Sequence, residues 1–338
     1  MMPDLNPAGC RTAALSFGDP EAEFEAALSG TAIAGTSMFG RIEVTGRDRL
    51  DLLHRLSTNS LTPLRAGGVV STVFVTDKGR VIDRVIVSAR DDSLVLITSP
   101  GSETHLNQWI EKYTITEDIS FRMITDDTVM ISLIGPRIIS LLYELLDIPP
   151  GNNTCVSHGG GGTQIFIVHT RDSTSDIAHI ITDDAGERRV ADMLRSLPGA
   201  RWIGRKAYEG FRIARGIPAS PGELNDGYNP FECGLRESIS FSKGCYIGQE
   251  VIARLDTYGK IRRHLTRVVS PGELPRGVPL PLFVDGAEAG TLTSMTEIPF
   301  DGKFLGLAIV RNDLAPGDML TAGKTGVGLH VTGTPSGT

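Results

Sequence analysis

Residues 243–250 read Lys-Gly-Cys-Tyr-Ile-Gly-Gln-Glu, and they are the most distinctive stretch of this chain. Glycine adopts positive φ and lets another backbone come close, so Gly244 and Gly248 predict a shaped turn that displays the side chains around them. An ammonium group nearby favours the thiolate form of a cysteine, so Lys243 is a candidate activator of Cys245. The alternative is that Cys245 is a small buried hydrophobe and Lys243 a surface charge, because free cysteine is among the most buried residue types.

The composition indicates a globular protein with more than one core. A length of 338 residues predicts two or three domains. The formal net charge of −7 argues against a broad nucleic-acid surface. The cysteines form no Cys-x-x-Cys pair, so no metal site is predicted, and their small number favours a reducing compartment. Since neither a long apolar stretch nor a signal pattern is present, we predict a cytoplasmic protein without a membrane segment. The four cysteines are Cys10, Cys155, Cys233 and Cys245.

Periodicity and turn signals divide the chain into three units. Predicted strands at about 69–76 and 81–88 are joined by the hairpin 77–79, Asp-Lys-Gly, which indicates an α+β unit with antiparallel pairing. From about residue 263 onward, regularly spaced Pro-Gly and Asp-Gly turns predict an all-β module, a small barrel. The predicted units are residues 1–125 together with 201–262, residues 126–200, and residues 263–338.

The string at 243–250 resembles the signature loop of the YgfZ family, folate-binding proteins related to the T-protein (aminomethyltransferase) of the glycine cleavage system. Segments 41–46 and 77–83 are similar to an opening strand and a folate-facing strand of these families, and 212–218 is similar to part of the segment that leads into the signature. The resemblance spans about residues 30–330. It implies an α+β fold of the GcvT/YgfZ type: a three-unit cloverleaf around a central channel, with two α+β units and a C-terminal β-barrel.

The same resemblance implies a site and a cofactor. Cys245, Lys243 and Asp83 are the candidate catalytic residues, facing a channel that receives tetrahydrofolate or a one-carbon derivative. The candidate cofactor-binding residues are Asp83, Arg212, Tyr246, Gln249 and Glu250.

Two departures from the T-protein pattern weaken the transferase interpretation. The T-protein pattern has two consecutive aspartates where this chain has Asp83-Arg84. Neighbouring side chains on a strand point to opposite faces, so Asp83 cannot simply take the place of the second aspartate. The alternative for Asp83 is an ion pair with Arg84 or Arg80 on an exposed strand.

The second departure concerns the T-protein pattern Arg-x-Glu-x-Gly, whose glutamate accepts hydrogen bonds from the pterin. The corresponding position here is Ala214, which cannot accept them. One lost charge-assisted hydrogen bond corresponds to about a tenfold to hundredfold weaker affinity. Glu209 and Glu223 are candidates to compensate.

A locally basic segment follows the signature. Its ligands could be the glutamate tail of folate, tRNA phosphates or an acidic partner. Tyr258 is its one aromatic residue, so tRNA is not favoured. A solvated strand edge, where charge discourages edge-to-edge pairing, is the favoured explanation of these charges. The segment contains Arg254, Lys260, Arg262, Arg263, His264 and Arg267.

Two functional hypotheses follow from the resemblance. The first is a tetrahydrofolate-binding accessory protein of the YgfZ type that supports iron–sulfur protein assembly or repair, with iron–sulfur enzymes or assembly proteins as partners. The alternative is an aminomethyltransferase that moves an aminomethyl group from a lipoyl carrier protein to tetrahydrofolate, with Asp83 as its key carboxylate. We favour the first, because the cysteine loop is present while two acidic positions of the transferase are altered.

Overall fold

The fold consists of two β-sheets with covering helices and a closed β-barrel. The computed structural model describes residues 14–136, 140–141, 151–160, 163–173, 176–274, 277–323 and 326–334. The predicted class, two α+β units followed by a C-terminal barrel, is confirmed.

The first sheet has five antiparallel strands in the order β3-β4-β5-β2-β6. Helices α2 and α3 cover one face, where Leu52 and Leu53 of α2 and Ile110 of α3 are fully buried against Phe74. The predicted hairpin between β3 and β4 is present, with Gly79 in the left-handed conformation at φ 66°. The elements are β2 Phe39–Thr45, α2 Arg49–Leu56, β3 Val69–Val75, β4 Val81–Ala89, β5 Leu94–Pro100, α3 Glu103–Glu111 and β6 Ser120–Met123.

The second sheet has six strands in the order β11-β1-β7-β10-β9-β8, and it takes one of them from the start of the chain. The predicted division puts β1 in the first unit, but β1 pairs antiparallel with β7 and parallel with β11. The physical reason is that β1 is an almost entirely buried apolar strand, which needs a neighbour on each edge. The elements are β1 Thr31–Gly35, β7 Val129–Ile134, β8 Thr154–Gly160, β9 Thr163–Arg171, β10 Asp176–Thr182, α4 Asp184–Arg195 and β11 Ala200–Ile203.

The barrel closes through six strands in the order β12-β15-β14-β13-β16-β17, so it exposes no unpaired edge. Two of its predicted turns are built as expected: Asp285 and Gly286, and Asp301 and Gly302, all have positive φ, which is typical of tight hairpin turns. The strands are β12 Arg263–Ser270, β13 Leu280–Val284, β14 Ala287–Met295, β15 Phe304–Arg311, β16 Met319–Ala322 and β17 Val327–Gly333.

Helix α5 follows the last strand of the second sheet and packs against the barrel. Gly210 lies at its centre, where an added Cβ would be 2.6 Å from the Phe300 ring and 3.1 Å from the Phe24 ring, so α5 fits tightly between helix α1 and the barrel. Residues 224–235 then pack between the first sheet and the barrel before helix α6. No described helix is both long enough and apolar enough to cross a membrane. The remaining helices are α1 Pro20–Ser29, α5 Arg205–Arg215 and α6 Gln249–Tyr258.

Candidate functional site

A cavity of about 260 Å³ lies where the two sheets meet, and we call it the central cavity. The first sheet and its connections contribute one wall, the β9–β10 turn contributes another, and the segment 216–238 closes it. Residues that line it include Asn59, Ser71, Arg84, Asn153, Asp172, Ser173, Pro218, Leu235, Glu237 and Ser238.

Arg84 is one of two arginines that line this cavity, the other being Arg171, and it joins the two sheets. Its Nε donates to Ser71 Oγ at 2.9 Å and its Nη2 donates to Asp172 Oδ2 at 2.6 Å. The two charged side chains are 16% and 20% exposed, so water screens their attraction only in part. The ion pair therefore holds the guanidinium in one orientation at the cavity wall.

Asp83 points to the opposite face of β4. Its carboxylate is fully buried and accepts hydrogen bonds from the Ser99 amide at 2.9 Å, the Ser99 hydroxyl at 2.6 Å and the Arg84 amide at 2.9 Å. Burial raises the pKa of Asp83 to about 6, although these three hydrogen bonds act to lower it. The alternative of an ion pair on an exposed strand is wrong, because this part of the strand is covered.

Lys243 anchors the signature loop. Its Nζ donates to the carbonyl oxygens of His54, Ser57 and Asn59 at 2.5, 2.6 and 2.8 Å, at and beyond the C-terminus of α2. An ammonium group has three N–H donors, so none remains for the thiol of Cys245. Burial lowers the pKa of Lys243 to about 8, while the three carbonyls and the negative end of the helix favour its charged form.

Gly248 fixes the end of the loop against the β3–β4 hairpin. Its φ is 79°, and an added Cβ would lie 2.6 Å from the carbonyl oxygen of Thr76. Gly244 has open space around it and no left-handed backbone. Only the second of the two glycines therefore makes the shaped turn that the sequence predicts.

The other loop residues differ in exposure. Cys245 is exposed, so the interpretation of this cysteine as a buried hydrophobe is wrong. Tyr246 is buried beneath Lys243, whose Nζ lies 4.9 Å from the ring centroid, and burial raises the pKa of Tyr246 to about 12. Gln249 is half-buried and Glu250 exposed in the first turn of α6. No residue of 243–250, all of which the structure describes, lines the central cavity.

Arg212 is buried between α5 and the barrel. It donates to Glu209 at 2.9 and 3.0 Å, to Glu223 at 3.3 Å and to Ser294 Oγ at 2.9 Å. Burial opposes the charge of Arg212, but the two glutamates outweigh it and raise the pKa. Glu209 and Glu223 thus pair with Arg212, and neither lines the central cavity. Neither can therefore replace there the carboxylate that is missing at Ala214.

Sequence reasoning missed the two carboxylates that do line the cavity, Asp172 and Glu237. Glu237 Oε2 accepts a hydrogen bond from the Ser173 amide at 3.2 Å. The residue is exposed and lines the cavity. The two residues are 65 positions apart and belong to no motif, so no local signal could have joined them. Among the described residues, no group of three or more His, Cys, Asp or Glu is arranged to hold a metal ion.

The fold and the cavity together define a class: two sheets and a barrel, with a polar cavity where the two sheets meet. Residues 11–158 match the family described as the GCVT N-terminal domain. A chloroplastic protein of Arabidopsis thaliana is 30% identical over 321 residues, which cover 91% of this chain and 72% of that protein. That protein is named as a transferase, without a stated substrate. The chain belongs to this GcvT-like family.

Further relatives agree over nearly the whole length. The aminomethyltransferase of Geobacillus kaustophilus is 25% identical over 315 residues, covering 89% of this chain and 85% of the relative. The crystal structure of the glycine cleavage system aminomethyltransferase T from Bartonella henselae has the same fold, with a TM-score of 0.81 at 16% identity over 96% of this chain and 91% of that one. The superfamily part of the resemblance is therefore confirmed, while the YgfZ branch and the cytoplasmic location stay predictions.

Proposed function

We propose that this chain is a folate-binding protein of the aminomethyltransferase type, which uses tetrahydrofolate or a one-carbon derivative in group transfer. The observation that carries the proposal is the central cavity, whose lining includes a fixed cation, Arg84, and an available carboxylate, Glu237. Support comes from relatives named aminomethyltransferase, which the chain matches over most of its length. The combination favours the transferase hypothesis over the one preferred from the sequence.

The cavity residues fit the pterin ring of a folate. One edge of that ring carries N–H donors next to a carbonyl oxygen, so it needs an acceptor beside a donor. Among the described residues, neither Glu237 Oε1 nor Arg84 Nη1 has a hydrogen-bond partner, and both lie on the cavity wall. In our proposal Glu237 accepts from the ring N–H groups, Arg84 donates to the ring oxygen, and Asp172 keeps Arg84 oriented.

The bound cofactor would supply the nitrogen atoms that carry the one-carbon unit, and the protein supplies orientation and charge. The residues that the sequence suggested as catalytic, Asp83, Lys243 and Cys245, lie outside the lining of the cavity. In aminomethyl transfer from a lipoyl carrier, Glu237 or Asp172 would then take the role of the key carboxylate that the sequence suggested for Asp83. The resemblance to the T-protein implies a carboxylate at the position of Arg84, so if transfer needs that acid we expect it to be slower in this chain.

The direct test is a titration of tetrahydrofolate into the purified protein and its variants by calorimetry. Glu237→Gln should weaken binding by about tenfold to hundredfold, because one charge-assisted hydrogen bond is lost. Glu209→Gln is the matched control and should change the affinity less than about twofold, since Glu209 is bound to Arg212 outside the cavity. Failure of the wild-type protein to bind at about millimolar ligand would contradict the proposal, as would an equal loss in the control.

The YgfZ-type accessory role remains the second candidate, and the exposed thiol of Cys245 favours it. In that role the partners are iron–sulfur enzymes or their assembly proteins, and the working group is the thiol. Cys245→Ala should then lower iron–sulfur enzyme activity in cells that carry only this variant, while aminomethyl transfer from a lipoyl carrier in vitro is unchanged. Normal iron–sulfur enzyme activity in those cells would rule out this role for the thiol.

A further inference from the structure

A second groove, of about 1,030 Å³, lies between the 77–79 hairpin, helix α6 and the barrel. It shares no lining residue with the central cavity. Seven of its fourteen lining residues are lysine or arginine and three are acidic, although the whole chain carries a net charge of −7. The groove is therefore locally basic on a chain that is acidic as a whole.

Internal ion pairs neutralise only part of that charge. Arg263 lies 2.8 Å from Glu232, and Arg311 lies 3.0 Å from Asp313. Four further cations are exposed and have no ion pair among the described residues, and we call them the groove cations. Clustered charges of one sign in a concave surface raise the local concentration of an oppositely charged ligand. The groove cations are Lys78, Arg254, Lys260 and Arg262.

Two of the residues that line the groove are apolar. Val251 and Leu255 lie one turn apart on α6, and both are partly buried. No aromatic side chain is among the described residues that line the groove, so bases of a nucleic acid would have no stacking surface. The volume is at the upper end of small-molecule sites and accommodates several side chains of a peptide. Carboxylates with interspersed apolar side chains match this surface better than phosphates with bases.

We propose that this groove binds an acidic, partly apolar segment of a partner protein. Carboxylates of the segment pair with the groove cations, and its apolar side chains cover Val251 and Leu255. Because the groove cations are solvent-exposed, such pairing steers association and weakens as salt is added. The binding is independent of the central cavity and of the folate proposal.

The test measures fluorescence anisotropy of a labelled peptide of repeated Glu-Glu-Leu units. The variant Arg254→Glu/Lys260→Glu/Arg262→Glu should weaken binding at least about tenfold, and an increase in salt from about 50 to about 300 mM should have a similar effect on the wild type. The matched control Arg65→Glu/Lys112→Glu/Lys303→Glu has the same change in net charge at exposed positions outside the groove, and we expect less than about twofold change. If the triple reversal is not folded by circular dichroism, Arg254→Gln replaces it with a smaller loss, about twofold to threefold.

Several outcomes would overturn the proposal. One is equal weakening by the control, which would indicate non-specific attraction. A second is the absence of saturable peptide binding. A third is tighter binding of a single-stranded RNA of similar length, which would indicate a nucleic-acid site. The last is a salt-dependent dimer in sedimentation that the groove variant abolishes, which would indicate that a second copy of the chain occupies the groove. Tetrahydrofolate affinity of the groove variant should be unchanged, so failure of the folate proposal and failure of this one can be told apart.

Discussion

The signature loop and the central cavity differ in how they are made. The loop is eight consecutive residues of unusual chemistry, yet Lys243 and Gly248 use that chemistry to hold the chain in place. The cavity brings together Arg84, Asp172 and Glu237, three ordinary residues from three distant segments. A distinctive string therefore marks the family, while the polar groups available to a ligand come from positions with no local pattern.

We therefore expect most of the loop to act in stability and the cavity to act in binding. Cys245 is the one residue of the loop that has a nucleophilic side chain and is also exposed. Substitutions in the loop should therefore change the free energy of unfolding, and substitutions in the cavity should change ligand affinity.

Lys243→Met should destabilise the protein by about 3 kcal/mol, because three carbonyls at the end of α2 lose a charged donor. Urea unfolding followed by circular dichroism measures the change in the free energy of unfolding. A loss below about 1 kcal/mol combined with a large loss of ligand affinity would place Lys243 in a binding site instead.

Asp83 should make stability fall as pH rises from about 4 to about 6. Its pKa is raised from 3.8 to about 6 in the folded protein, so between these values the folded state binds more protons than the unfolded state. The free energy of unfolding therefore decreases with pH across this window, by about 2 kcal/mol from this group, and the loss is complete above pH 6. Below the ordinary pKa of 3.8, Asp83 is protonated in both the folded and the unfolded state, so it does not lower the free energy of unfolding there.

The check for Asp83 is the difference in free energy of unfolding between wild type and Asp83→Asn across this pH range. The variant cannot ionise, so it should lack this contribution to the slope. Parallel curves for the two proteins would show that Asp83 titrates normally and is not buried as described.

Gly248→Ala should cost about 2 kcal/mol, because the left-handed backbone and the carbonyl of Thr76 both oppose a Cβ. Gly244→Ala is the internal control and should stay within about 0.5 kcal/mol, since nothing lies near its Cβ position. Thermal unfolding of both variants measures the difference. Equal effects at the two glycines would contradict the description of the turn.

Cys245→Ala should change stability by less than about 0.5 kcal/mol, because the thiol is exposed. In a Cys10→Ser background, one thiol should react rapidly with a disulfide reagent, and the added Cys245→Ala should remove that reaction. Cys155 and Cys233 are buried, and burial raises the pKa of both, to about 11 for Cys155, so they should stay unreactive until unfolding. Cys10 lies outside the described residues. Slow labelling at Cys245 would mean that the loop covers its sulfur.

Features with short-range causes were predictable. The hairpin 77–79 and the Asp285-Gly286 turn need only positive φ at neighbouring positions, which the residue types reveal. The alternation along β4 also predicted that Asp83 and Arg84 face opposite ways, and the structure places Arg84 on the cavity wall and Asp83 in the core.

Sheet membership and the composition of the cavity were not predictable in this way. Strand β1 joins the second sheet through partners about 100 and 170 residues away, and nothing within the strand names them. The expected substitutes for the carboxylate missing at Ala214, Glu209 and Glu223, are close in sequence but are bound to Arg212. Glu237 was overlooked because its relation to Arg84 exists only after the segments pack.

By itself, the sequence determined the family, the three-unit α+β and barrel architecture, and the turns, because each follows from residue types at fixed local spacing. The tertiary structure alone decided which side chains meet: that Lys243 ends as a helix cap, that Asp83 is buried, and that Arg84, Asp172 and Glu237 share one cavity. The physical reason is that contacts between distant segments depend on how whole sheets pack, and no short stretch of sequence contains that information.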